Sequence, residues 1–274
     1  MIDLHSHTDQ SDGTFTPSEL IAEANRVGLS ALAITDHDTF AGYDAAAPLA
    51  AAAGLELICG IELSTRYMGT SVHLLAYFPG NPPSAEMREW LGFLQEMRRE
   101  RNVRLIEKLR TLGIDITLAE VEKYGRTLTA RPHFARVLVD KGYAKTIQDA
   151  FDLYLDESAK AWVQRHDVAM EEALERIAAS GGITSLAHPI RVANNNWSKI
   201  EAAVADLKTK GLRAIEVFHS DHRPEDVGFY QTLAARYSLA ITGGSDFHGA
   251  NKPGISLGKL DVPDSVLGDL KALG

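Results

Sequence analysis

Seven short apolar runs, each followed by an amphipathic or polar stretch, constrain this chain more than any other feature. They lie at residues 2–4, 31–35, 55–61, 72–78, 183–187, 214–218 and 239–242. Their length and near-continuous apolarity suit strands buried on both faces, as in a parallel sheet. The stretches between them carry helix signals. Thr16-Pro17-Ser18-Glu19 offers an N-cap, a proline at the first helical position and a capping-box glutamate. A helix over 168–180 stops at Gly181-Gly182 and feeds the next run directly, and 224–237 repeats the pattern. Alternating strand and helix predicts an α/β fold. About seven strands without a glycine-rich dinucleotide fingerprint favour a barrel over an open doubly wound sheet.

The alternation breaks after about residue 84. Helical patterns over 84–112 (one helix or two), 118–124, 132–141 and 146–155 predict a small helical insertion at 98–163, set into a barrel of residues 1–97 and 164–274. Charge divides the same way. Residues 97–165 hold 14 Lys and Arg against 10 Asp and Glu, and the remainder holds 14 against 27. An acidic body suits cation binding and a basic insertion suits an anionic substrate. The net charge of −9 argues against a general nucleic-acid-coating protein. Cys59, the single cysteine, sits within an apolar run and reads as a buried strand residue. With no basic-then-apolar leader and no apolar stretch of membrane-spanning length, the chain is expected to be soluble and cytoplasmic, with no membrane partner.

The polar residues fall at the ends of these runs. His5 and His7 end the first, and at a spacing of two they point to one face of a strand. Asp36 and His37 end the second, Glu62 the third, His188 the fifth and His219 the sixth, while Asp246 and His248 follow the seventh. His73, near the start of the fourth run, departs from the pattern. In a parallel barrel the C-terminal strand ends share one face, where catalytic groups collect. Uncompensated charges gathered there would be costly, and metal ions remove that cost. Nitrogen and oxygen donors without thiolate suit Mn²⁺, Fe²⁺ or Zn²⁺. So many ligands exceed what one tetrahedral ion takes, and Glu62 could bridge two ions, an arrangement suited to phosphoester hydrolysis. His133, His166 and His222 have blander readings as surface or capping residues.

Taken together, Asp3-Leu4-His5-Ser6-His7-Thr8 with Ser11-Asp12-Gly13, Ala33-Ile34-Thr35-Asp36-His37-Asp38, Gly60-Ile61-Glu62, the His73 strand, Leu186-Ala187-His188-Pro189 and Gly244-Ser245-Asp246-Phe247-His248 resemble the PHP (polymerase and histidinol phosphatase) family, related to the amidohydrolases. The resemblance implies a distorted (β/α)7 TIM-like barrel with a trinuclear metal centre. It implies that His5, His7, Glu62 and Asp246 hold one ion, that Glu62, His73 and His188 hold a second, and that Asp12, His37 and His248 hold a third. Two or three ions per chain, most simply Mn²⁺, are the implied cofactor. Asp12 stands where some members have histidine. Asp36 would orient His37 from behind.

Within the family, Ala130-Arg131-Pro132-His133-Phe134-Ala135 in the insertion looks like the members that remove the 3′-phosphate from nucleoside 3′,5′-bisphosphates, whose relatives trim 5′ ends of short RNA. This implies conversion of adenosine 3′,5′-bisphosphate to AMP and phosphate by a metal-bridged hydroxide. Glu62 and Asp246 would lie at the reacting centre. His219, or another histidine at the barrel mouth, is the candidate to protonate the leaving 3′ oxygen. Arg131, His133 and Arg191 are the expected phosphate contacts, followed by Lys160 and Arg126, because guanidinium binds phosphate bidentately and stays charged. Tyr124, Phe134 or Trp162 could stack on a base, although core packing suits each of them as well. The partner would be a small nucleotide or the end of a short oligonucleotide. Alternative readings are a 5′→3′ exonuclease using the same site, a histidinol phosphate phosphatase, and a binding module with a residual barrel. The last would have lost ligands, and this chain keeps them all.

Overall fold

In the computed structural model, which describes residues 1–125, 129–164 and 168–274, every apolar run forms a strand. The strands are β1 (Ile2–Asp3), β2 (Ala31–Ile34), β3 (Glu56–Tyr67), β4 (Thr70–Phe78), β5 (Val168–Ala169), β6 (Ile183–Leu186), β7 (Ala214–His219) and β8 (Ala240–Gly244). They pair in the order β1-β2-β3-β4-β6-β7-β8, and the short β5, which the sequence pattern misses, adds to the outer end of β3. The sheet curls until its edges meet. The Leu4 N–H donates to the Gly243 carbonyl at 3.1 Å and the His7 N–H to the Phe247 carbonyl at 2.9 Å. The expected α/β barrel is present.

Four ladders are parallel as expected, β1–β2, β2–β3, β6–β7 and β7–β8. The expectation of a uniformly parallel barrel fails at β4, which runs antiparallel to both β3 and β6. The cause is local. Met68 and Gly69, both with positive φ (46° and 80°), make the two-residue turn that matches strand twist in a tight hairpin. A tight hairpin reverses the chain where a helix crossover would have kept it parallel. The start of β4 therefore lies at the barrel end where the parallel strands finish, which is why His73 comes early in its run.

The helices are α1 (Pro17–Val27), α2 (Ala41–Ala53), α3 (Ala85–Thr111), α4 (Leu118–Glu122), α5 (Arg131–Asp140), α6 (Ile147–Ala150), α7 (Met170–Ala179), α8 (Trp197–Thr209), α9 (Pro224–Arg236) and α10 (Ser265–Lys271). α1 begins with the Thr16–Glu19 capping box read from the sequence and ends at Gly28 in the left-handed region. No helix among the described residues is long and apolar enough to cross a membrane.

α3 is one continuous helix and serves two cores. Met87, Trp90 and Leu91 pack on the barrel, whereas Leu105, Ile106 and Leu109 join Phe134, Val137, Leu138 and Leu155 in a separate apolar cluster. The stretch 146–155, read as one helix, is α6 followed by a π-helical turn at Phe151–Leu155. Gln95 of α3 donates to the Asp38 carbonyl at 2.9 Å, and Arg98 pairs with the Asp38 carboxylate. The insertion is thus tied to the loop after β2, at the rim of the barrel mouth.

Candidate metal centre

Residues distant in sequence converge at that mouth. His5, His7, Glu62 and Asp246, all buried, present ligand atoms within 4.8 Å of one another. His7, Asp12, His37 and His248 form a second such group, and His37, Glu62 and His73 a third. His188 joins through Glu62: its Nε2 and the Nδ1 of His73 each lie 2.8 Å from Glu62 Oε1. The other oxygen of Glu62 lies 3.2 Å from His7 Nε2 and 3.3 Å from both His5 Nε2 and His37 Nδ1. One carboxylate therefore faces five imidazoles, the geometry of a bridging ligand.

Several ring nitrogens point inward with nothing to bond. His5 Nε2, both nitrogens of His7 and His37 Nδ1 are buried without a hydrogen-bond partner. Buried polar atoms are almost always satisfied, so convergent orphaned lone pairs beside carboxylates fit cations held between them. The tautomers agree. The Nδ1–H of His248 donates to the Asp246 carbonyl at 2.8 Å, which leaves its Nε2 lone pair 3.2 Å from Asp12.

Burial and mutual attraction act differently on these groups. Burial pushes His37 down to about 4 and His188 down to about 3, so both rings stay neutral. Burial also opposes charge on His7, but the Asp246 and Glu62 carboxylates beside it outweigh burial and lift it to about 9. Burial alone would raise Asp12, Glu62 and Asp246, yet the surrounding histidines hold all three well below the usual carboxylate range.

The supporting shell contains residues the sequence reading missed. Glu216, buried on β7, accepts from His5 Nδ1 at 2.8 Å with one oxygen and from the His188 backbone N–H at 2.6 Å with the other. It is held down to about 2: burial opposes its charge, and His5 and His219 outweigh that. His188 and Asp246 both sit in the left-handed region, at φ 26° and 58°. Such strain persists only where surrounding bonds over-determine it. Here Glu216 fixes the His188 amide, and the His5 carbonyl accepts from the Asp246 N–H at 2.8 Å. Gly244 lets β8 come this close, because a Cβ there would lie 2.2 Å from the His5 nitrogen.

Asp36 does not orient His37. Its oxygens accept from the Thr8 N–H (2.7 Å), the Thr8 hydroxyl (2.6 Å) and the Ser11 hydroxyl (2.6 Å), so it fastens the loop that carries His7 and Asp12. Neighbouring residues at a strand end point to opposite sides, which adjacency in sequence conceals.

The other predicted residues are placed as follows. His219 is buried at the mouth. Its Nδ1 accepts from the Asp221 N–H at 3.0 Å, which puts the ring proton on Nε2, 3.2 Å from Asp246 Oδ2. Arg191 spans Asp221 (2.6 Å) and Asp246 (3.3 Å) at the rim. Lys252, also missed, reaches Asp246 at 2.5 Å. His133 caps α5, as one reading held, with Nδ1 accepting from the Ala130 N–H at 3.0 Å, and it is buried. Its Nε2 lacks a partner, and the residue lines a cavity shared with Asp12 and His248. The Arg131 guanidinium lies 5.4 Å from the Trp162 ring and 6.0 Å from Phe151. Lys160 is exposed nearby in sequence, and Phe134 belongs to the insertion core. His222 packs inward, bonded to the Val217 carbonyl at 2.8 Å and set against Tyr230. Arg126 and His166 lie outside the described residues.

Comparison with known proteins finds relatives along the whole chain. The model of the PHP domain matches residues 3–220. A 5′-3′ exoribonuclease of Haemophilus influenzae is 33% identical over 267 residues, covering 97% of this chain and 96% of its own. A 3′,5′-nucleoside bisphosphate phosphatase of Chromobacterium violaceum is 31% identical over 265 residues, covering 96% and 92%. Among solved structures, a candidate metal-dependent phosphoesterase from Bifidobacterium adolescentis superposes with a TM-score of 0.86 at 32% identity, covering 100% of this chain and 96% of that one.

Proposed function

The chain belongs to the PHP domain family, and we propose that it is a metal-dependent phosphoesterase that removes the 3′-phosphate of nucleoside 3′,5′-bisphosphates, converting adenosine 3′,5′-bisphosphate to AMP and phosphate. The observation that carries this reading is the convergence of orphaned imidazole nitrogens and low-pKa carboxylates directly beneath a cationic insertion.

His5, His7, Glu62 and Asp246 would hold one ion, Glu62, His73 and His188 a second, and Asp12, His37 and His248 a third. The nitrogen and oxygen donor set favours Mn²⁺, with Fe²⁺ or Zn²⁺ as close competitors. When bound, the ions supply Lewis acidity, lowering the pKa of water and neutralising the phosphoryl oxygens. The chain's own groups orient the ester. Arg191 and Lys252 bring positive charge to the rim beside Asp246. Arg131, whose guanidinium lies 5.4 Å from the Trp162 ring, would take the second phosphate, with His133, Lys160 and Arg126 as further contacts. The Nε2–H of His219 is the proton donor for the departing 3′ oxygen.

The test is phosphate release by Mn²⁺-loaded protein from adenosine 3′,5′-bisphosphate, beside nucleotide release from a 5′-phosphorylated dinucleotide. Arg131→Ala should weaken use of the bisphosphate far more than use of a simple phosphomonoester. Equal losses on the two would remove Arg131 from the second-phosphate site. Failure to hydrolyse any ester with metal stoichiometrically bound would leave a binding module.

A further inference from the structure

One face of α3 carries a polar stripe that neither the metal ligands nor the expected phosphate contacts account for. Gln95, Arg98 and Asn102 follow one another at spacings of three and four, so they lie on the same side of the helix. Gln95 donates to the Asp38 carbonyl at 2.9 Å, and Arg98 pairs with the Asp38 carboxylate. One turn further on, Asn102 is buried and its Nδ2 donates to the Thr129 carbonyl at 2.8 Å, two residues ahead of α5. The same helix face therefore grips the loop after β2 and the approach to Arg131.

Asp38 stands at a junction. It directly follows His37, it is buried, and its φ of 52° lies in the left-handed region. Such a backbone persists where surrounding bonds over-determine it. Its N–H donates to the Glu62 carbonyl at 3.1 Å, and the Glu62 N–H donates to the Asp36 carbonyl at 3.3 Å. These two bonds bracket His37 against the strand that carries the bridging carboxylate. The Asp38 side chain completes the lock: Oδ1 accepts from the Ser64 N–H at 2.8 Å, and Oδ2 takes Arg98. A buried carboxylate that loses its cation is strongly disfavoured and must turn toward water or another donor. For Asp38, that turn moves the backbone next to His37.

We propose, resting on the metal-dependent reading above, that Arg98 is a positioning residue of the metal centre. Through Asp38 it fixes the direction of the His37 imidazole, and with it the affinity for the ion that Asp12, His37 and His248 would hold. The other two groups of ligands take their direction from elsewhere. His5 and His188 are held by Glu216, and Asp246 by the His5 carbonyl. Loss of Arg98 should therefore weaken one ion and spare the rest. Because Asn102 belongs to the same stripe, that ion and the segment leading to Arg131 share one rigid support.

The experiment counts Mn²⁺ per chain by equilibrium dialysis at fixed free Mn²⁺ followed by elemental analysis, with a melting temperature for each protein. It compares wild type, Arg98→Met, Arg98→Lys and the double variant Arg98→Met/Asp38→Asn, and uses Asp12→Ala to mark the ion concerned. Arg98→Met should need about 10–100-fold more free Mn²⁺ to fill the ion lost in Asp12→Ala. The remaining ions should keep their affinity within about twofold. Arg98→Lys should restore most of the loss, since it returns a cation to Asp38. The double variant leaves no buried charge unpaired, so it should melt above Arg98→Met yet still bind that ion weakly. Unchanged Mn²⁺ affinity in folded Arg98→Met would overturn the proposal, and a raised KM for the bisphosphate with that affinity intact would make Arg98 a substrate contact instead. Equal weakening of every ion, or affinity that returns with the melting temperature in the double variant, would reduce the pair to a brace of the fold. Wild type that loses no ion on Asp12→Ala would overturn this proposal alone. Wild type that binds no Mn²⁺ would overturn it together with the metal-dependent reading.

Discussion

Replacing Glu216 by glutamine should cost the protein metal before it costs it fold. Glu216 uses its two oxygens on two different donors, His5 Nδ1 at 2.8 Å and the His188 amide at 2.6 Å. Glutamine has the same shape but a single acceptor. Whichever way its amide is turned, one of those donors meets an NH₂ group. A hydrogen bond to a charged acceptor contributes about 1.5–3 kcal/mol, and that contribution disappears at one ligand while the other loses its charged partner. His5 would no longer be held with Nε2 toward the ions, or His188 would lose the anchor of its left-handed backbone. Loss of such a partner behind a ligating histidine commonly weakens metal binding about 10–100-fold, and 1.5–3 kcal/mol corresponds to the same range. The assay is equilibrium dialysis against buffers of fixed free Mn²⁺ followed by elemental analysis, with circular dichroism to verify the fold. The variant should need about 10–100-fold more free Mn²⁺ to fill and should recover most of its turnover at saturating metal. Unchanged affinity in a folded Glu216→Gln protein would refute the claim that this carboxylate positions the two ligands.

Three further outcomes follow from the same geometry. Gly42→Ala would gain about 1 kcal/mol by helix propensity alone, but its Cβ would lie 1.9 Å from Asp36 Oδ2 and 2.7 Å from Thr8 Oγ1, a clash costing about 1–3 kcal/mol; a lower melting temperature together with weaker Mn²⁺ binding is expected, and a rise in melting temperature would contradict the role given to Asp36. Burial pushes the Cys59 thiol up to about 12, so it stays protonated until the pH approaches that value. Iodoacetamide at pH 8 should leave Cys59 of the folded protein unmodified and label it fully once guanidinium unfolds the chain. Stripping the ions with a chelator removes ligand-linked stability, about 4 kcal/mol for a site held at a thousandfold excess over its Kd, which at this size predicts a melting temperature lower by roughly 8 °C in a calorimetric scan.

Much of the centre was legible because its chemistry forces a pattern. Histidines and carboxylates at the ends of apolar runs are costly unless something pairs them, and a barrel brings strand ends together, so His5, His7, Glu62, His188, Asp246 and His248 could be gathered before any coordinates were known. His73 looked like an exception only because strand direction is not written in apolarity. The two-residue Met68-Gly69 turn holds that information, and reading it as a hairpin would have moved His73 to the correct end. Glu216 left a fainter signal: a glutamate inside the run 214–218, where an acid with no visible partner should have implied one. What stayed hidden depends on direction and distance. Asp36 and His37 are adjacent, yet one fastens a loop and the other faces the ions. Arg131 and Arg136 share a short helix, yet one stacks on Trp162 and the other lines the cavity. The metal centre follows from where strands end, and fold class fixes that. On the reading proposed above, substrate choice depends on how a ten-residue helix is rotated beside that centre, and its rotation is set by the packing of Phe134, Val137 and Leu138 against α3 in a core of its own.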